Sequence, residues 1–223
     1  MTIYDAAGTL IRELEPDTTG GINRMVYDLR YPRLPAAPVD TFLVDQTLIR
    51  TSNTPRNGPS GSWAIPGLYT ARLIVNSHEY NRTFTVGEDP RIQLPVEQRP
   101  LWTETLLDIA DLNQRLATDN QILQPSMWQI KKHRKENKKL DAKPAEKMKE
   151  TGRLYSELFK RIRALYSQVS SWPGAVTADQ QSQWLYYQTM CNRLIPLKDD
   201  FIRKQLPNLN KKLAKEDRIL TNL

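Results

Sequence analysis

The chain has 223 residues, a mass of 25.8 kDa and 39% hydrophobic content, enough for one large folded unit or two modest ones. No stretch approaches the roughly 18 to 20 uninterrupted apolar residues of a bilayer crossing, and Met1 to Leu14 lacks a basic-then-apolar leader, so neither a membrane span nor a signal peptide is predicted. One cysteine, Cys191, and two histidines, His78 and His133, argue against an internal disulfide, a zinc or haem centre and Ser-His-Asp chemistry; no cofactor, metal or catalytic residue is expected. The net charge of +7 conceals a split. Up to Ile130 there are eleven arginines, no lysine and fifteen acids, a net of −4; from Lys131 onward twenty-one basic residues face ten acids, a net of +11. Two regions with different surfaces follow.

The first region reads as β. Thr2 to Asp5 and Thr9 to Leu14 flank the turn chemistry of Ala6-Ala7-Gly8 and predict a hairpin. Thr19-Gly20-Gly21 precedes an alternating run, Ile22 to Leu29, read as a strand with one apolar face. Tyr31 to Ser62, rich in Pro, Asn, Ser and Gly, predicts a long loop holding one strand, Thr41 to Arg50. Leu68 to Val75 and Glu79 to Val86 then form a second hairpin about Asn76-Ser77. About six short strands at this spacing predict a small β-sandwich over residues 1–88.

Asp89-Pro90 and Pro95 punctuate a linker, residues 89–97, and Pro100 follows; the apolar period then changes to that of helices. Trp102, Leu106, Ile109, Asn113, Leu116, Leu123, Met127 and Ile130 lie on one stripe, which Pro125 is expected to kink. Met148, Tyr155, Ile162 and Val169 recur every seven residues, with Thr151, Leu158, Leu165 and Trp172 three places on, the pattern of a packed seam. Thr177 to Gln180 has the T-x-x-Q spacing of a capping box. The helix it opens turns Trp184, Tyr187, Cys191, Leu194 and Phe201 inward, is bent by Pro196 and ends at Pro207. The expected fold class is therefore α+β in two domains, an all-β sandwich followed by an all-α antiparallel helical bundle over residues 98–223.

Ile3-Tyr4-Asp5 with Gly8 and Ile11-Arg12, Gly21-Ile22-Asn23-Arg24, Tyr27-Asp28-Leu29-Arg30, Pro66-Gly67-Leu68-Tyr69 and Phe84-Thr85-Val86 with Asp89-Pro90-Arg91 occur in an order that resembles the C-terminal region of bacterial BNR-repeat, sortilin-like β-propeller proteins. The strand core is also similar to the immunoglobulin-like domain of the flagellar hook capping protein. The likeness continues through Thr177 to Gln180 and Leu206-Pro207-Asn208-Leu209-Asn210 with Leu213. It implies an immunoglobulin- or fibronectin-like sandwich and a helical bundle that serve, without catalysis, as the accessory region of a larger periplasmic or secreted protein, with a β-propeller region of the same or a neighbouring protein as partner. Tyr27 stands where that family more often has tryptophan, the lysine-rich segment is unusual for it, and the propeller repeats are absent, so no glycosidase activity is carried over. Met1 falls where the family continues from its propeller, which suggests a tail piece with an exposed sheet edge near Ile3 to Leu14; Ile3, Tyr4 and Tyr27 are the expected partner-facing residues.

Among the residues that attract attention, Asp5, Asp28 and Asp45 read as turn and ion-pair acceptors rather than the paired carboxylates of glycoside chemistry. His78 and His133 read as exposed, Cys191 as a packed thiol, and Asn113 as either a buried polar contact or a residue at a widened, solvated seam. The conspicuous charge feature is Lys131, Lys132, Arg134, Lys135, Lys138 and Lys139, followed by Lys143, Lys147 and Lys149. Its ordinary reading is a solvated connection between helices. The alternative is a site for nucleic acid or an acidic glycan, weakened by the lack of interleaved aromatics.

Overall fold

A computed structural model describes residues 1–16, 19–35, 60–92, 94–95, 97–136 and 142–211 of the chain. It has two regions, a four-stranded antiparallel sheet and a set of long helices. The strands are β1 (Thr2–Asp5), β2 (Leu10–Glu13), β3 (Gly67–Val75) and β4 (His78–Val86), in the spatial order β2-β1-β3-β4. The β1–β2 turn is fixed by the Asp5 carboxylate, which accepts from the amides of Ala7 and Thr9 at 3.0 and 2.8 Å, and by Gly8 at φ 79°. Asp5 is thus the turn acceptor expected of it.

One face of the sheet buries Ile3, Ile11, Tyr69 and Val86, and what covers it is irregular chain. Ala64 is buried there, with Tyr27 and Tyr31 packed against it. The Ile22 to Leu29 run, expected as a strand, forms none: Ile22 and Val26 are exposed, and among the described residues a single bridge, Arg30 to Trp63, joins its end to the chain ahead of β3. Alternation survives without a partner strand, with Met25 and Tyr27 half-buried. Gly61 allows the close approach beside this bridge, since a Cβ there would lie 2.0 Å from the Tyr31 carbonyl oxygen. The expected strand Thr41 to Arg50, and Asp45 with it, lies outside the described residues. Among those residues the second layer over the sheet is therefore coil.

The helices are α1 (Gln98–Glu136), α2 (Ala142–Ser170), α3 (Ala178–Asp200) and, after a π turn at Phe201–Gln205, the short α4 (Leu206–Asn210). Pro100 falls in the first turn of α1, where its missing amide costs no hydrogen bond, and α1 runs on without interruption past Pro125. All eight residues of the first stripe are buried, and so are the seven seam positions from Met148 to Val169. Trp172 departs from the seam. The helix stops at Ser170, and the indole, two residues beyond, is 73% exposed.

The helices meet at specific points. Trp102 donates its indole N–H to the Val169 carbonyl at 2.9 Å, joining the start of α1 to the end of α2, while Gly152 leaves room for the Met127 thioether nearer their other ends. The Asp119 carboxylate accepts from Lys198 of α3 and, at 3.2 Å, from the Tyr155 hydroxyl of α2, so one acid links three helices. Burial and this neighbouring carboxylate push the Tyr155 hydroxyl up. The Thr177 capping box forms, with Gln180 N–H to Thr177 Oγ1 at 3.3 Å and Thr177 N–H to Gln180 Oε1 at 3.0 Å. Pro207 does not end the helical run. Its ring would collide with the carbonyl four residues back, and the π turn just ahead widens the helix so that Pro207 enters α4 in its first turn, keeping Phe201, Leu206 and Leu209 buried.

Asn113 is fully buried, and neither its amide oxygen nor its nitrogen has a hydrogen-bond partner among the described residues. An unsatisfied buried amide costs about 1 to 3 kcal/mol. Asn113→Leu, which keeps the branching at Cγ, is expected to raise the unfolding free energy in urea by about 1 to 3 kcal/mol. A loss of stability would show that the amide is satisfied in solution.

Candidate functional site

Two surfaces carry features that the fold itself does not require: the far end of the β3–β4 hairpin and the basic end of α1. The hairpin comes first because the sheet leaves it unsupported. β1 pairs with β3 only from Asp5↔Tyr69 to Thr2↔Arg72, whereas β3 and β4 pair along nine residues from Gly67↔Val86 to Val75↔His78. Leu73 to Val75 and His78 to Tyr80 therefore project as a two-stranded arm. Asn76 and Ser77, both at positive φ (49° and 66°), form the tight turn that matches strand twist. Ile74, Val75 and Tyr80 on the arm are 64%, 47% and 59% exposed. Cross-strand pairing puts Leu73 with Tyr80 on one face and Ile74 with Glu79 on the other, so both faces carry apolar surface.

Strand order also decides where the sheet is open. Of the edge expected near Ile3 to Leu14, β1 is closed, lying between β2 and β3 with its ladder filled on both sides, whereas β2 is open on its outer side. Ile3 is accordingly a core residue, 1% exposed. Tyr4 is half-buried beneath the Arg72 guanidinium, 4.7 Å from its ring centroid. Tyr27 packs edge-on against Phe84 at 6.4 Å with its hydroxyl buried, and desolvation pushes that hydroxyl up to about 12. None of the three is an edge residue. Among the described residues the free edges are β2, only four residues long and paired through a register irregularity at Ile3/Tyr4, and β4, nine residues with neither lysine nor proline. Short, irregular edges resist strand addition; long regular ones invite it.

At the basic end, Lys131, Lys132, Arg134 and Lys135 occupy the last turns of α1, and Lys138 and Lys139 lie outside the described residues. Lys132 is exposed, with its ammonium 5.7 Å from the ring centroid of Trp128, itself 43% exposed. Trp128 stands one helical turn ahead of the lysines, while no aromatic is interleaved with them. Lys143, Lys147 and Lys149 are exposed on the opening turns of α2. His133 is buried rather than exposed, because it extends the α1 stripe one step beyond Ile130. His78 is exposed beside the hairpin turn, its Nδ1 3.0 Å from the Asn76 carbonyl oxygen.

Cys191 is buried, and desolvation pushes its thiol up to about 11, which leaves little thiolate for nucleophilic attack near neutral pH. No group of three or more His, Cys, Asp or Glu among the described residues has the arrangement of a metal site, and none of their helices is long and apolar enough to cross a membrane. No known family, curated protein or solved structure matches the chain.

Proposed function

We propose that this chain is a non-catalytic accessory region that binds a partner protein through the β3–β4 arm and the adjoining β4 edge. The observation that carries this reading is the overhang: Leu73 to Tyr80 extends past the sheet with three large apolar side chains exposed and no neighbouring strand among the described residues. Exposed apolar surface on an unpaired edge gains most when another chain supplies both a strand and a cover. The sequence resemblance supplies the partner, a β-propeller region of the same or a neighbouring protein, and with it a periplasmic or secreted location. The immunoglobulin-like sandwich and the antiparallel bundle belong to this reading too. The pairing of the α1 start with the α2 end supports the bundle, and the sandwich rests on the sequence resemblance, the cover over the sheet being coil among the described residues.

A β-propeller region of a BNR-repeat, sortilin-like protein, mixed with this chain and followed by analytical ultracentrifugation, is expected to form a complex. Ile74→Asp with Tyr80→Asp should weaken that complex about tenfold or more while lowering the unfolding free energy by about 1 kcal/mol per site, because a strand disfavours aspartate and the new carboxylate at 74 faces Glu79. A chain that ignores the propeller region, or arm variants that bind it as well as the parent, would contradict the proposal.

A second reading, polyanion binding at the basic end, is favoured by the pairing of Lys132 with an exposed Trp128. A docking role predicts that any complex with heparin or single-stranded DNA dissociates between about 50 and about 200 mM salt. A saturable complex that survives this range, and is abolished by Lys132→Glu and Trp128→Ala, would favour the second reading instead.

A further inference from the structure

A cleft of about 580 Å³ opens between the sheet and the helices, within the size range of ligand pockets. It is distinct from the arm: the hairpin turn and the cleft lie at opposite ends of β4, about 27 Å apart at strand rise. Two tryptophans line it. Trp63 is 40% exposed, with the Arg30 guanidinium stacked 3.4 Å from its ring centroid, and Trp172 is 73% exposed immediately after α2. Leu29, Val86 and Ile92 add aliphatic wall.

Leu29 is held in the left-handed region at φ 54°, costly for a bulky residue. Its carbonyl accepts from the Ala64 amide at 2.8 Å, and the next amide, of Arg30, donates to the Asp28 carboxylate at 3.2 Å. These bonds keep the strained leucine in the wall of the cleft. Strained residues of this kind cluster at ligand clamps and active sites.

The charges at the cleft are already matched. Glu88 pairs with Arg99 at 2.9 Å, and Asp89 pairs with Arg91 at 2.6 Å. The four lining charges thus sum to zero, and an uncharged occupant leaves both pairs intact. Arg91 uses Nε and Nη2 on Asp89, while its Nη1 has no partner among the described residues and its side chain is 88% exposed. That leaves a donor at the rim for a carbonyl oxygen. Aromatic walls, neutrality and a rim donor to carbonyls together match a chain of pyrrolidine rings. Such a chain is uncharged, has no amide donors of its own, leaves its carbonyls open to donors, and loses little entropy on binding because it is already extended.

We propose that this cleft binds an uncharged, proline-rich peptide in the polyproline II conformation. The site takes residues from both regions of the chain, and its test does not depend on the arm. Decaproline, titrated into the full chain with amide chemical shifts as the readout, is expected to give saturable shifts at residues 63, 64, 87–89 and 171–172. The binding should change little with salt and weaken about tenfold or more in Trp172→Ala. Because Trp172 is exposed, that variant should keep the amide spectrum of the folded chain. A glycine-serine peptide of equal length should leave the spectrum unchanged. Absence of saturable shifts with decaproline, shifts elsewhere on the surface, or equal affinity in Trp172→Ala would overturn the assignment. So would displacement of decaproline by a neutral disaccharide at lower concentration. Ile74→Asp with Tyr80→Asp should leave decaproline binding intact, which separates this site from the arm.

Discussion

A buried guanidinium must find a partner for each of its nitrogens, and in this chain that demand locks the sheet to the helices. Arg99 sits in the first turn of α1 with 7% of its side chain exposed. Nε donates to the Glu88 carboxylate two residues past β4, Nη1 to the Thr103 hydroxyl one turn along α1, and Nη2 to the Ala64 carbonyl in the coil that covers the sheet core. Its carbon lies 4.7 Å from the ring centroid of Trp102, whose own N–H reaches the end of α2. An unpaired charge at this depth would cost several kcal/mol, so the positions of the β4 exit, the covering coil and α1 are fixed relative to one another. The cleft between sheet and helices exists because this contact holds its walls at a set separation.

Polar anchoring of this kind recurs where the two regions meet. Tyr166 of α2 donates to the Ser60 carbonyl at 3.1 Å, and burial pushes its hydroxyl up to about 12. Leu34, from the coil that follows the sheet-covering segment, is buried within the helical core. The proline-punctuated stretch between Val86 and Gln98 is thus bracketed by contacts that cross it in space. Among the described residues no such contact reaches the β3–β4 arm, and its apolar side chains are exposed there.

What was legible in the sequence follows from which forces are local. Helical stripes are written in residue spacing, and the Met148 to Val169 seam and the Thr177 capping box appear as spacing predicts. Trp172 carried the same period, yet the period continued past the last helical residue and the indole faces solvent. Strands were legible as hairpins but not as a sheet, because order depends on partners far apart in sequence. Ile3 and Tyr4 looked like an edge for that reason. One clue to the arm was present, since the later hairpin has strands about twice as long as the earlier one and some of it must overhang. Nothing in the spacing announces Arg99 or the pairing of Trp63 with Arg30, which depend on chain segments meeting in three dimensions.

Native-state amide exchange of the full chain tests the central claim most directly. The account predicts that Arg99→Ala lowers the opening free energy of the slowest amides of β1 and β3 by about 3 kcal/mol, the scale for breaking a buried charge pair. The middle turns of α2 should keep nearly their parent protection. Unchanged protection in the sheet would contradict the account, because the strands would then hold their place without the guanidinium.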